Sequence, residues 1–278
     1  MDAIPLWFWI GSFAAFGLLF GSFANVVIWR VPRGESISSP GSHCPGCGTP
    51  IAWHDNVPVL SWLMLHGKCR SCGKPISKRY PLIEAASGAL FATAVIAFGP
   101  GLKAGIAAVM FWFLLVLSAI DLDTMRLPNV LVGTLAGVGL VAAVAAQFTG
   151  ESFAPLVGVS SHGVFAQPLV VSLAGAVLGA GLSGAVAAMY GAMRGKSGLG
   201  MGDVKLLGAM GLFLGPFVLI ALFAGSIFGL AAGMLAARGQ SLSTARIPFG
   251  PSLAGGGLFT ALWGPAALSW YLRLVGLG

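Results

Sequence analysis

A succession of apolar runs, most of them long enough to cross a bilayer, is what most limits the fold of this chain. About 20 consecutive apolar residues span the hydrocarbon core as a helix, and in lipid every backbone polar group must find its partner inside the protein. Such runs occupy residues 6–29, 82–98, 102–120, 129–148, 168–190, 203–214, 216–237 and 250–274. They predict an all-α polytopic membrane protein with about eight transmembrane helices. The sixth run is short, and Gly215-Pro216 parts it from the seventh. Charge is scarce to match: 8% of residues are charged, against about 25% in a soluble domain.

The loops between the runs give a direction. The first run is too long for the apolar core of a signal peptide and follows Asp2 rather than Lys or Arg. It is therefore expected to remain as a spanning helix that starts outside. The cytoplasmic segments are then 30–81, 121–128, 191–202 and 238–249. With the adjoining Lys205 they hold Arg30, Arg33, Lys68, Arg70, Lys74, Lys78, Arg79, Arg126, Arg194, Lys196, Arg238 and Arg246, which is 13 of the 15 basic residues. This positive-inside bias accounts for the formal charge of +7 without a nucleic-acid partner; the partner is the lipid bilayer. The longer outer loop, 149–167, carries Glu151 and His162 and reads as a passive connector. No internal repeat is apparent, which weakens a transporter built from inverted repeats.

All four cysteines fall in the first cytoplasmic segment, as Cys44-Pro-Gly-Cys47 and Cys69-Arg-Ser-Cys72. Two Cys-x-x-Cys pairs at this separation have the spacing of a zinc ribbon. Each pair presents two thiolates from one tight turn, and together they complete a tetrahedral site. Gly46, Gly48 and Gly73 let the chain turn around the metal. The alternatives are two disulfides or a redox pair; a reducing compartment and the lack of a βαβ pattern weigh against them. With four sulfur ligands the zinc is expected to be structural. His43, His54 and His66 lie in the same segment and read as surface histidines.

Ionisable residues at the ends of apolar helices are candidate functional groups. The third run ends in Ser118-Ala-Ile-Asp121-Leu-Asp123-Thr-Met-Arg126-Leu-Pro128-Asn129, and the sixth opens with Gly198-Leu-Gly200-Met-Gly202-Asp203-Val-Lys205. Both lie on the cytoplasmic side of the expected topology. Two carboxylates that share a site cannot easily both ionise, and a protonated acid beside an ionised base can activate water and protonate an amide leaving group. Gly200 and Gly202 would let an extended peptide approach, and Lys205 could bias the pair's charge. Against this stand simpler roles: Asp203 as a helix cap, and Asp121 or Asp123 as solvated interfacial carboxylates.

Several segments, taken in order, resemble the type 4 prepilin peptidases, membrane aspartic peptidases of the Gly-x-Gly-Asp type. Gly21-Ser-Phe-Ala-Asn25-Val-Val-Ile-Trp-Arg30-Val-Pro32 looks like that family's first-helix motif. Cys44-Pro-Gly-Cys47, Asn56-Val-Pro58-Val-Leu-Ser-Trp62, Gly67-Lys-Cys69-Arg-Ser-Cys72-Gly and Ile76-Ser-Lys-Arg79-Tyr80-Pro81-Leu-Ile-Glu84 follow. The resemblance implies that the catalytic aspartates are Asp121, which stands six residues before Leu127-Pro128, and Asp203 of Gly200-Met-Gly202-Asp203. It also implies two activities at the cytoplasmic face of the bacterial inner membrane. One removes a short basic leader from prepilins and pseudopilins, serving type IV pili or type II secretion. The other methylates the new N-terminal amine with S-adenosylmethionine.

On the same resemblance the chain divides into a first transmembrane helix (1–29), a cysteine-bearing segment linked to N-methylation (30–81) and a transmembrane peptidase core (82–278). Members without the cysteine segment are linked with cleavage alone, so both activities are expected here. Asn25, Arg30, Lys68, Arg79, Tyr80 and Glu84 are the candidates for binding the methyl donor; Glu84 could hold an ammonium or a ribose, or pair with Arg79. Two other readings have specific counterarguments. Gly181-Leu-Ser183-Gly184 matches the Gly-x-Ser-Gly of rhomboid-type serine peptidases, yet no histidine lies in an apolar run to act as its base, and the two glycines read better as helix-packing residues. A transporter or ion-handling protein would use the aspartates as an ion site, and would not need the glycines beside them.

Overall fold

The computed structural model describes residues 4–150, 153–157, 167–195, 199–236 and 248–276. Asp2, Glu151, His162, Lys196, Arg238 and Arg246 lie outside the described residues. The described chain is helical: α1 (Leu6–Arg30), the short α2 (Leu60–Met64), α3 (Arg79–Phe98), α4 (Leu102–Thr124), α5 (Asn129–Thr149), α6 (Pro168–Arg194), α7 (Met201–Leu214), α8 (Val218–Ala236) and α9 (Gly250–Leu274). The eight apolar runs thus reappear as the eight long helices. Among the described residues, six stretches are long and apolar enough to cross a membrane: 6–33, α3, α4, α5, α6 and the joined Met201–Leu235. The smaller number has two causes. At 14 residues, α7 rises only about 21 Å, less than the ~30 Å hydrocarbon core, and α9 is diluted by Gly255, Gly256, Gly257, Ser252 and Thr260.

By packing the chain divides into two compact units, Met1–Val116 and Leu117–Gly278, with the division inside α4. In the first unit α1 lies against α3 across residues that have no side chain to keep the helices apart. A Cβ on Gly17 would stand 2.7 Å from the Ser87 carbonyl oxygen, and one on Gly21 would stand 2.5 Å from the Glu84 Cα. In lipid, where apolar side chains gain nothing by leaving solvent, such close backbone approach is what holds helices together. Trp112 of α4 adds an indole N–H bond to the Phe20 carbonyl at 2.9 Å and stacks on Phe23.

Between α1 and α3 the cysteine segment is built from two matching turns. Cys44 N–H bonds the Thr49 carbonyl and Gly48 N–H the Cys44 carbonyl; Cys69 N–H bonds the Lys74 carbonyl and Gly73 N–H the Cys69 carbonyl. Both turns need left-handed glycines, Gly48 at φ 72° and Gly73 at φ 70°. Each is closed by an isolated antiparallel bridge, His43 with Pro50 and Lys68 with Pro75. The sequence behind them is a local repeat, Cys44-x-x-Cys47-Gly48-x-Pro50-Ile51 and Cys69-x-x-Cys72-Gly73-x-Pro75-Ile76. The expectation of no internal repeat is therefore corrected: the unit is a single turn, too short to stand out against eight long helices.

The second unit is arranged around α7. Leu206, Leu207, Met210, Phe213 and Leu214 are all fully buried, and with Val204, Ala209 and Leu212 they cover every side of the helix, the signature of a helix enclosed by others. Antiparallel α6 meets it backbone to backbone. A Cβ on Gly175 would collide with the Gly211 carbonyl oxygen, and one on Gly179 would stand 2.5 Å from that of Leu207. Of the two glycines expected to pack, Gly184 makes an ordinary contact with Val204, whereas Gly181 faces open space; the seam is formed earlier in the helix, at Gly175 and Gly179.

Gly215, at φ 54°, breaks the chain between α7 and α8. The described part of the outer loop is not a passive connector. Phe153, Ala154, Leu156 and Val157 are buried, and Leu156 N–H bonds the Phe213 carbonyl at 2.7 Å, satisfying the last turn of α7. Finally α8 and α9 run antiparallel in close contact at Gly225 with Leu253 and at Gly256 with Ala221.

Candidate functional site

Two places in the chain concentrate chemistry. In the second unit, Asp121 lies in the last turn of α4 and Asp203 in the first turn of α7. The end of α4 is set by Met125, whose φ of 52° puts it in the left-handed region. Its N–H closes on the Asp121 carbonyl at 2.8 Å, and Leu127-Pro128 then start α5. At α7, Gly200 is the N-cap residue, and a carboxylate in the first turn sits favourably at the positive end of the helix dipole.

Asp121, Met125, Leu199, Gly200, Asp203, Pro248 and Phe249 together line a cavity of about 420 Å³. Asp121 is buried, at 5% exposure, and its Oδ2 accepts the Gly250 backbone N–H at 2.8 Å. Asp123, two residues on, is not among the residues that line the cavity. An adjoining recess of about 350 Å³ is lined by Ser183, Val186, Ala187, Tyr190, Leu199, Leu222, Ser226 and Phe249, so that Leu199 and Phe249 belong to both.

The other expected cleft residues divide. Gly200 lines the cavity. Gly202 instead faces Leu127, 3.1 Å from where its Cβ would be, and so allows α7 to approach the start of α5. Lys205 donates to the Asn129 Oδ1 at 2.9 Å; it ties α7 to α5 and is not part of the cavity lining. Ser183 donates to the Gly179 carbonyl at 2.5 Å, the ordinary back-bonding of a helical serine. Sequence reasoning missed Pro248, Phe249 and Gly250. The available signal was Phe249-Gly250-Pro251 at the head of the last run, where a proline at a first-turn position marks a helix start.

The second place is the cysteine segment. The four sulfurs of Cys44, Cys47, Cys69 and Cys72 lie within 4.8 Å of one another, and none is in a disulfide. Cys44 Sγ and Cys72 Sγ are 3.9 Å apart; a tetrahedral ion with Zn–S bonds of about 2.3 Å has sulfurs about 3.8 Å apart. The donor set therefore fits zinc.

Its electrostatics call for a cation. Hydrogen bonds with the Thr49 hydroxyl and backbone pull the Cys47 thiol down to about 6. The Lys74 amide pulls Cys72 the same way, but desolvation and the three neighbouring thiols push it up to about 11. Four crowded sulfurs resist joint ionisation unless a metal compensates them. Around them Lys74 Nζ reaches the Gly46 carbonyl at 3.2 Å, joining the two turns. Arg70 grips Asp55 through two bonds of 2.7 and 2.6 Å. His43, His54 and His66 are exposed and outside the sulfur cluster.

Three of the six residues expected to bind a methyl donor bond backbone groups of the chain. Asn25 Nδ2 donates to the Tyr80 carbonyl at 3.2 Å and the Gly21 carbonyl at 3.3 Å. Buried Arg30 donates to the carbonyls of Ser36 and Pro40 at 2.9 and 2.7 Å. Glu84 accepts the Val59 N–H at 2.7 Å, and so holds a β-branched residue at φ 61°, a costly conformation. Lys68, Arg79 and Tyr80 are exposed.

The chain resembles known proteins along most of its length. Residues 15–98 match the model of the bacterial peptidase A24 N-terminal domain, and residues 108–234 that of the type IV leader peptidase family. The chain is 34% identical to the prepilin leader peptidase/N-methyltransferase of Aeromonas hydrophila, over 96% of this chain and 94% of that one. It is 40% identical to the protein of that name from Klebsiella pneumoniae, over 72% and 82%, and 35% identical to that of Stutzerimonas stutzeri, over 94% and 93%. No solved structure matches.

Proposed function

Because the chain belongs to the type IV leader peptidase family, we propose that its cleavage chemistry is carried by Asp121 and Asp203. The protein is a multi-pass enzyme of the bacterial inner membrane that cleaves the leader from prepilins and N-methylates the product. The observation that carries the aspartate pair is the shared cavity: carboxylates from two helices, far apart in sequence, line one opening of peptide-accommodating size.

In the proposed mechanism one carboxylate is ionised and takes a proton from water as the water attacks the scissile carbonyl. The other gives its proton to the departing amide nitrogen. Gly200 lets an extended backbone lie close to the pair. The adjoining recess, walled by Val186, Tyr190, Leu222 and Phe249, takes the apolar side of the substrate. Pseudopilins, whose cleavage chemistry is the same, are included among the substrates.

For methylation we infer S-adenosylmethionine, which supplies a methyl group on a sulfonium. Asn25, Arg30 and Glu84 are kept among the residues assigned to it, although each also bonds a backbone group. With the exposed Lys68, Arg79 and Tyr80 they make up the six residues proposed to meet the donor. Zinc on Cys44, Cys47, Cys69 and Cys72 holds the segment in shape. Both active sites are assigned to the cytoplasmic face on the strength of the basic loops.

The test incubates the purified protein with a prepilin, with and without S-adenosylmethionine, and reads the products by mass spectrometry. Loss of the leader without the donor, and a further methyl group with it, are expected. Asp121→Ala and Asp203→Ala should each abolish leader loss while still methylating a pilin cleaved beforehand. Normal cleavage by either variant overturns the aspartate assignment.

A further inference from the structure

We infer that Gly250 is a positioning residue of the peptidase, its backbone N–H fixing the carboxylate of Asp121 and its missing side chain making room for it; this rests on the reading of Asp121 as a catalytic group. The bond is short and buried, 2.8 Å from the amide nitrogen to Oδ2. A Cβ on Gly250 would stand 2.7 Å from the same oxygen, 3.0 Å from Cγ and 3.1 Å from the Asp121 Cβ. The carboxylate therefore lies where a side chain at position 250 would begin, and no other amino acid fits there without moving it.

The donor is well suited to the task. Gly250 is the first residue of α9, so its N–H belongs to the opening turn and has no acceptor within the helix; Pro251 beside it offers none. The positive end of the helix dipole adds to the attraction. Position is secured from behind, since α9 is seated on α8 at Gly256 with Ala221 and at Gly225 with Leu253. A donor on a rigid element holds a reacting group more tightly than one on a loop. The residues before it, Pro248 and Phe249, line the aspartate cavity, so the same chain entry shapes the cavity wall and orients the carboxylate.

Chemically, a carboxylate pinned through one oxygen cannot swing about its Cβ–Cγ bond, and the other oxygen is presented in one orientation. Precise orientation of this kind acts on the chemical step rather than on substrate capture. A bond that merely capped α9 would instead be felt as lost stability, with cleavage and substrate affinity declining together.

The experiment measures kcat and KM for prepilin cleavage by the full-length protein, with methyl transfer to a pre-cleaved pilin as a parallel readout. Two changes at position 250 are compared. Gly250→Ala keeps the N–H but inserts the clashing methyl. An amide-to-ester exchange at the same position removes the N–H and adds no atom, and it decides the matter if the alanine variant does not fold. The ester form is expected to lose about ten-fold or more in kcat, the worth of a hydrogen bond to a charged group, with KM and methyl transfer within about two-fold of the parent. Unchanged kcat in the ester form, or a loss expressed in KM, overturns the inference. Asp121→Ala run alongside separates the two levels: if it still cleaves, the reading of Asp121 fails; if it is dead while both Gly250 forms are fully active, only the role of Gly250 fails.

Discussion

The residues that matter most are placed by partners no local pattern announces. Asp121 was legible as a carboxylate at a helix end, because an acid that closes an apolar run has few reasons to be there. Its bond to Gly250, 129 positions away, was not legible, since it depends on how α9 is seated. Arg30 is the opposite case. In sequence it reads as a basic residue of the first loop and a candidate for the methyl donor; in the structure it is 8% exposed and holds two carbonyls of the loop that follows α1.

A third residue allows a test by pH. The Arg70 guanidinium holds the Asp55 carboxyl below the usual carboxylate range. A lowered value means that the pair stabilises the segment above the unfolded aspartate's value of about 3.9 and loses that contribution only as pH falls through the folded one. From about pH 5.5 to about pH 8 the effect of Asp55→Asn should thus not grow with pH, and it should shrink in high salt because the pair is solvated. Deuterium uptake by residues 53–72 measures it. An effect that grew steadily with pH over that range would show that another group is responsible.

At the scale of elements, the cysteine turns were the easiest to read and the outer loop among the hardest. Two Cys-x-x-Cys pairs with glycine after each specify a turn that almost any context would preserve. Their hydrogen-bond pattern repeats from one turn to the other. The loop before α6, by contrast, looked passive because Ser, Gly and Pro dominate it. In its described part the apolar residues Phe153, Ala154, Leu156 and Val157 turn out to be buried, with the Leu156 amide closing the end of α7. The zinc reading makes its prediction here. Cys72→Ser or Cys44→Ser should release the metal, measured by mass spectrometry of the intact protein under native conditions, and expose residues 41–76 to protease. Full metal retention in either variant removes that residue from the ligand set.

For the molecule as a whole, the apolar runs made the fold class legible, and the basic residues supply an expected orientation. The count of crossings was less secure. Length and apolar content follow from composition, but whether α7 and α8 behave as one crossing or two depends on the break at Gly215, which is a matter of backbone conformation. Orientation can be checked directly: trypsin should cut at basic residues of the segment 30–81 in inside-out vesicles and leave it intact in right-side-out ones. Cleavage from the right-side-out face would reverse the assignment of both sites.

The seam between α6 and α7 has a consequence for the history and redesign of such an enzyme. At Gly175, Gly179 and Gly211 the two helices touch through main-chain atoms, and a main chain cannot be trimmed by mutating a neighbour. Those positions have no second spelling and cannot be compensated one substitution at a time. The helix that bears Asp203 is thereby walled off from gradual drift on that side. Change in what the enzyme accepts has to enter elsewhere, through Val186, Tyr190 or Leu222 around the apolar recess, where side chains meet side chains and one can yield as another grows.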